Sequence, residues 1–265
     1  MSRGKQTRAA CRYSESVTVK AWLKGHQFDL ETLADLFSAG DVRVIKVGDE
    51  YCLTGVEMDS PPEGLNFYDV SATVLQRVNG IARTLRPNDY RPVELVGRYQ
   101  VADDRHEVVQ AEGAEVRERA ESVSVVVATA TLEARGQLKV VAVTTGGAAP
   151  ATAAQPTPMY MALAAQHADV AETLALMGKG EPDWSDLYKV YEIVRDNLRP
   201  AKIEDKGWAT KHEQSEFTGT ANRPDVSGAD ARHARMPGGP PTHTMTLHEA
   251  RQFIGDLVIQ WVGSL

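Results

Sequence analysis

The stretch "TTGGAAPATAAQPTP" (residues 144–158) divides the chain into two unlike halves. It carries no charge and no large apolar side chain, so nothing in it anchors a core, and its Pro and Gly interrupt regular structure. Residues 144–157 therefore read as an inter-domain linker. Before it the hydrophobic pattern changes between period two and period 3.6, and after it the pattern is helical. The expected fold is an α+β domain over 15–143, a mostly antiparallel sheet with one or two helices, followed by an all-α helical bundle over 158–265. Residues 1–14 form a basic tail with Arg3, Lys5, Arg8 and Arg12 and read as solvated.

Upstream of the linker, "SVTVKAWLKG" alternates Val17, Val19, Ala21 and Leu23 on one strand face. "FDLETLADLF" then places Phe28, Leu30, Leu33, Leu36 and Phe37 at helical spacing, with Asp29 as the expected N-cap. "DVRVIKV" and "EYCLTGVEM" flank Gly48-Asp49 and predict a β-hairpin. The longest N-terminal helix is expected over 67–85, where Val70, Val74, Leu75, Val78, Ile81 and Leu85 share a face and Arg86-Pro87 stops it. Strands follow at 92–101, 122–132 and 137–144. The charged run between the first two of these, 102–122, reads as a loop or an exposed helical excursion.

Downstream, "PTPMYMALAAQHADVAETLALMGKG" predicts one long helix from Thr157 to Gly178, with Met159, Leu163, Gln166, Val170, Leu174 and Met177 along it. His167 lies beside that stripe as an ordinary hydrogen-bonded helix residue. "PDWSDLYKVYEIVRDNLRP" predicts a second helix capped by Asp183 and stopped by Pro200, burying Trp184, Leu187, Tyr188, Tyr191, Val194 and Leu198. The last helix opens on Thr246 and Glu249 in capping-box spacing and buries Ala250, Ile254, Leu257 and Trp261. A weaker helical pattern over 203–217 is interrupted by Gly207.

At 265 residues the chain is long for one core, which favours two domains. No apolar run approaches the roughly 20 residues needed to span a bilayer, so no membrane contact is expected and the reading is cytoplasmic. Cys11 and Cys52 alone make neither a disulfide framework nor a four-cysteine metal site. The formal charge of −7 excludes a protein-wide attraction to nucleic acid; any RNA contact would be local. Nucleotide-binding glycine loops and the GxSxG hydrolase elbow are absent, and no cofactor or metal is expected.

The chemistry-bearing stretch is "TANRPDVSGADARHARMPGGPPTH" (residues 220–243). Arg offers a rigid fork of donors for phosphate, and His transfers a proton near neutral pH. His233 and Arg232 are the candidate catalytic pair, with Arg223, Asn222 and Arg235 as phosphate- or partner-binding residues. Together they would suit RNA cleavage, in which a base activates the 2′-hydroxyl and a cation steadies the phosphorane. Ser227 and Asp230 also fit an N-cap and its third residue, so "SGADARHAR" predicts a short helix whose basic last turn meets the dipole. In "KHEQSEF", His212 and Glu216 are four apart, half of an HExxH zinc helix; His233 or His243 would have to be brought round to complete it.

A helical C-terminal unit with an Arg- and His-bearing segment before its last helix resembles the HEPN-type domains of bacterial toxin and defence proteins, over 158–265. That resemblance implies a dimeric helical module, with metal-independent ribonuclease activity where an Arg is followed by a His four to six residues later. No Arg here has a His at that interval. The expectation is a non-enzymatic binding and assembly protein. Its N-terminal domain takes a protein or small ligand, and its C-terminal bundle forms a homodimer. The alternative is a metal-independent endoribonuclease acting through 220–243.

Overall fold

The computed structural model describes residues 18–102, 104–109, 117–119, 156–239 and 241–265. The basic tail, the strands expected over 122–132 and 137–144, and the linker up to residue 155 lie outside the described residues. Among the described residues no helix is long and apolar enough to cross a membrane.

As expected, the N-terminal region is an antiparallel sheet with a few helices, and the C-terminal region is helical. Among the described residues six strands, β1 (Val19–Lys24), β2 (Val42–Val47), β3 (Glu50–Gly55), β4 (Glu94–Val101), β5 (Asp104–Val109) and β6 (Arg117–Arg119), lie in the order β2-β3-β1-β4-β5-β6. The hairpin joining β2 and β3 forms as predicted, with Gly48 at φ 63° in its two-residue turn. Within the charged run after β4, the described residues 104–109 and 117–119 are strand rather than loop or helix: β5 pairs with β4 and β6 with β5. Pairing satisfies the backbone of these strands, and charge is tolerated in them because an antiparallel sheet can keep one face in water.

Alternation assigns the two faces. Ala21 opposite Leu53, Leu23 opposite Tyr51, Val44 opposite Leu53 and Ala21 opposite Tyr99 point inward and are buried. Against this face lie α1 (Gln27–Leu36), with buried Leu30 and Leu33, and α3 (Phe67–Leu85). Between β3 and α3, Val56 to Asp59 form a one-turn helix, α2 (Val56–Asp59), rather than continuing the strand. Asp29 does not cap α1. His26 does, its Nδ1 accepting from the Phe28 amide at 3.4 Å, while Asp29 sits buried one turn in and accepts from Arg91 N at 3.2 Å and Arg91 Nε at 2.9 Å. The carboxylate serves a distant strand approach instead of its own helix end.

The C-terminal helices are α4 (Thr157–Gln166), α5 (Ala168–Met177), α6 (Trp184–Asn197), α7 (Lys211–Ala221), α8 (Pro224–Ser227) and α9 (Leu247–Val262). The long helix expected from Thr157 breaks at His167, which takes an extended conformation (φ −124°, ψ 112°) and caps both pieces. The break lets the two pieces face different neighbours. Thr157 donates to Leu36 O at the end of α1, whereas α5 packs against α3.

α3 is the central element. A Cβ at Gly80 would stand 2.0 Å from Leu174 O, and one at Gly178 would stand 2.4 Å from Gln76 O, so both glycines permit a backbone approach that no other residue allows. α9 also packs on α3, and the buried apolar residues form one continuous cluster from Val19 to Val262.

Candidate functional site

α7 begins at Thr210 with a capping box closed by Glu213, a start signal absent from the sequence reading of this stretch. It ends at Asn222, and Pro224 opens the four-residue α8. Gly228 then takes φ 71° and leads into a 3-10 turn over Gly228–Asp230. The short helix expected to end in Arg232, His233 and Arg235 does not form. Those residues lie on irregular chain beyond a left-handed glycine, so no helix dipole accounts for their charge.

Arg223 is buried, with 6% exposure, and its donors are spent within the segment. Nε and Nη2 hold the Asp225 carboxylate at 2.9 and 3.0 Å, while Nη2 also donates to Gly238 O at 2.6 Å and Nη1 to Pro237 O at 3.5 Å. Hydrogen bonding from Arg223 holds the Asp225 carboxyl below its usual range. Arg223 thus pins the "MPGG" turn and does not join Arg232.

Arg232 and His233 do come together. The Arg232 amide donates to Ala221 O at 2.8 Å, and its guanidinium lies 4.3 Å over the Tyr188 ring. Its Nη1 is 3.4 Å from His233 Nε2 and its Nη2 3.3 Å from Glu192 Oε1. His233 and Arg235 are exposed; Asn222 Oδ1 is buried without a hydrogen-bond partner among the described residues. Glu192 borders an open cavity of about 420 Å³ with Asp169, Asp196 and Asn197, an acidic lining that repels phosphate.

Folding also brings His243 to His212, with ring centroids 5.1 Å apart, and His212 Nδ1 pairs with Glu216 Oε2 at 3.2 Å. Among the described residues no three His, Cys, Asp or Glu side chains converge as metal ligands.

A second concentration of chemistry lies on the outer face of the sheet. The register puts Trp22 opposite Cys52, Lys20 opposite Gln100, Arg43 opposite Thr54 and Arg105 opposite Gln100 on that side. The Arg98 guanidinium lies 4.4 Å over the Trp22 ring and donates from Nη2 to Glu50 Oε1 at 2.5 Å. Trp22, Val47, Gly48, Glu50, Arg98, Gln100 and Arg105 line a cavity of about 330 Å³. Positive charge comes from Lys20, Lys24, Arg43, Arg98 and Arg105, against Glu50, Glu94 and Glu107, the last set opposite Arg98 by the register, and Arg105 has no ion pair among the described residues. Beneath Trp22 the buried Cys52 thiol is pushed up to about 11 by desolvation, so it stays protonated at neutral pH and is no nucleophile.

In the sequence this face is masked by the stronger apolar alternation of the inward set of each strand. Its signal is the complementary register of the same strands: Lys20, Trp22 and Lys24 on β1, then Val96, Arg98 and Gln100 on β4. The class defined by fold and site is an α+β sheet-and-helix protein with a cationic, aromatic sheet face. No protein-family model, curated protein or solved structure matches the chain.

Proposed function

We propose that this chain is a non-enzymatic binding protein whose anionic ligand docks on the outer face of the sheet. The cavity at Trp22, Arg98, Gln100 and Arg105 carries the reading: it is concave, has an aromatic floor with convergent polar groups, and holds positive charge in a chain of net −7. Immobilised heparin supplies a simple polyanion. The full chain is expected to be retained at pH 7 and low salt, and Arg98→Glu with Arg105→Glu is expected to abolish retention at an unchanged thermal midpoint. A wild-type chain that passes unretained overturns the reading. Retention that survives the double reversal also overturns it, because the contact then lies elsewhere, for example in the basic tail.

Self-association through the C-terminal helices has narrower support. α5 and α9 use their apolar faces on α3, and the large hydrophobic residue that α9 leaves exposed is Ile259, at 38%. A homodimer would be read from sedimentation equilibrium of the full chain.

A second reading, a metal-independent endoribonuclease of the HEPN-like kind, is favoured by the 3.4 Å approach of Arg232 to His233 on exposed chain. In it His233 takes the 2′-hydroxyl proton and Arg232 steadies the phosphorane. Arg223, held by Asp225, takes no part. His233→Ala then removes RNA cleavage and leaves the fold intact; a wild-type chain that cleaves no RNA ends this reading.

A further inference from the structure

We infer that the ligand of the outer sheet face is single-stranded nucleic acid, with an unpaired base stacked on the Trp22–Arg98 pair and phosphates held by Arg105, Lys20 and Arg43. The inference rests on the reading of this face as the binding surface and names what it binds.

Three features select that ligand. The first is local charge. Lys20, Arg43 and Arg105 make no ion pair among the described residues, so their charge is available to a polyanion that the rest of the chain repels. From β2 to β5 the face is roughly 19 Å wide, taking neighbouring strands as about 4.8 Å apart, which is room for a short run of backbone rather than one phosphate.

The second feature is planarity. Trp22 is half-buried with a guanidinium stacked on it at 4.4 Å, a flat platform for a base. Duplex bases are already stacked on one another, so the platform serves an unpaired strand. An acidic peptide would satisfy the charges and leave this platform unused.

Third, the cavity beside the platform holds acceptors for base amino groups. Glu50 keeps Oε2 after Oε1 accepts from Arg98, and Gln100 keeps its carbonyl oxygen after Nε2 donates to Ala102 O at 2.9 Å. Cations at the rim and acceptors within separate backbone holding from base contact.

The test uses the full chain and a fluorescein-labelled 12-nucleotide single strand of mixed sequence, read by anisotropy. Saturable binding is expected, with a log–log salt slope of about −2 if three phosphates are neutralised. Trp22→Ala weakens it roughly tenfold or more, the worth of one stacked base, a larger loss than it causes in heparin retention. Arg105→Ala, at an exposed position, weakens both. Should Trp22→Ala fail to fold, Trp22→Phe keeps a ring and is expected to retain most of the binding, with Arg105→Ala reporting the loss. Heparin retention without oligonucleotide binding leaves the anionic face standing and overturns this inference. Equal affinity for the matching duplex, for a mononucleotide, or for poly-glutamate overturns it too, pointing respectively to backbone alone, to a small ligand, and to an acidic protein.

Discussion

Glu249 and Glu213 show what a single side chain contributes when it answers a backbone need. Each lies three residues after a Thr N-cap and accepts from that residue's amide, at 2.7 Å for Thr246 and 2.8 Å for Thr210. These bonds hold both carboxyls below the usual Glu range. Since the folded pKa lies below the unfolded one, about 4.3, the stabilisation is complete above that pH and is lost as pH falls through the folded value. Glu249→Gln therefore lowers the thermal midpoint near pH 7 and brings it closer to wild type near pH 3. A midpoint difference that stays constant between the two would show that the charge is not what matters. Thr246 and Glu249 are legible in the sequence because capping is local. Arg223 is not: its partners Pro237 and Gly238 come from a turn 14 and 15 residues away, which no periodicity encodes. Of the two histidines that the sequence offers as partners of His212, His243 is the one that reaches it, once the last loop has folded back along α7.

Elements were readable where one face does one job. α6 has its cap at Asp183 and buries Trp184, Leu187, Tyr191 and Val194 as the stripe requires. The hairpin of β2 and β3 follows from Gly48-Asp49 between alternating strands. Where an element serves two neighbours, sequence period fails. The apolar run across α4 and α5 has no breaker at His167, yet it breaks there: α5 packs closely along α3, while α4 is tied through Thr157 to the end of α1. β5 and β6 are strands by pairing rather than by hydrophobicity. The junction of α3 and α5 depends on a residue the sequence makes look unfavourable, Gly80 in mid-helix. On an exposed helix Gly→Ala would stabilise by roughly 0.5–1 kcal/mol. Here a Cβ would meet Leu174 O at 2.0 Å, backbone that cannot rotate away. Gly80→Ala should thus cost about 3 kcal/mol, the upper end of overpacking, and lower the thermal midpoint by roughly 6–12 °C. Gly180→Ala, with nothing within 4 Å of its Cβ, serves as the control and should change little. A raised midpoint in Gly80→Ala would mean that the helices are not in this contact.

At the scale of the whole molecule, composition and the neutral segment at 144–158 argue for two separate cores, whereas the packing of α3 argues for cooperation between them. Tyr90 and Val93 tie the approach to β4 to Asn79 of α3, whose Oδ1 accepts from Tyr90 OH at 2.5 Å and from Val93 N at 3.1 Å. Arg83 of α3, 3% exposed, donates to Gly180 O beyond α5, and α9 approaches α3 closely enough that a Cβ at Gly255 would stand 3.2 Å from Thr84 O. One helix is thus held by the sheet and by the C-terminal helices together, and removing the N-terminal half would expose the faces of α5 and α9 that bury against it. The full chain should therefore unfold in a single thermal transition, with near-ultraviolet and far-ultraviolet circular dichroism coinciding. The fragment 156–265 should keep much of its helical signal but lose near-ultraviolet structure and bind a hydrophobic dye. Two resolved transitions in the full chain, or a fragment that unfolds as sharply as the whole, would show that the halves fold independently across the neutral segment and that α3 docks onto a finished bundle.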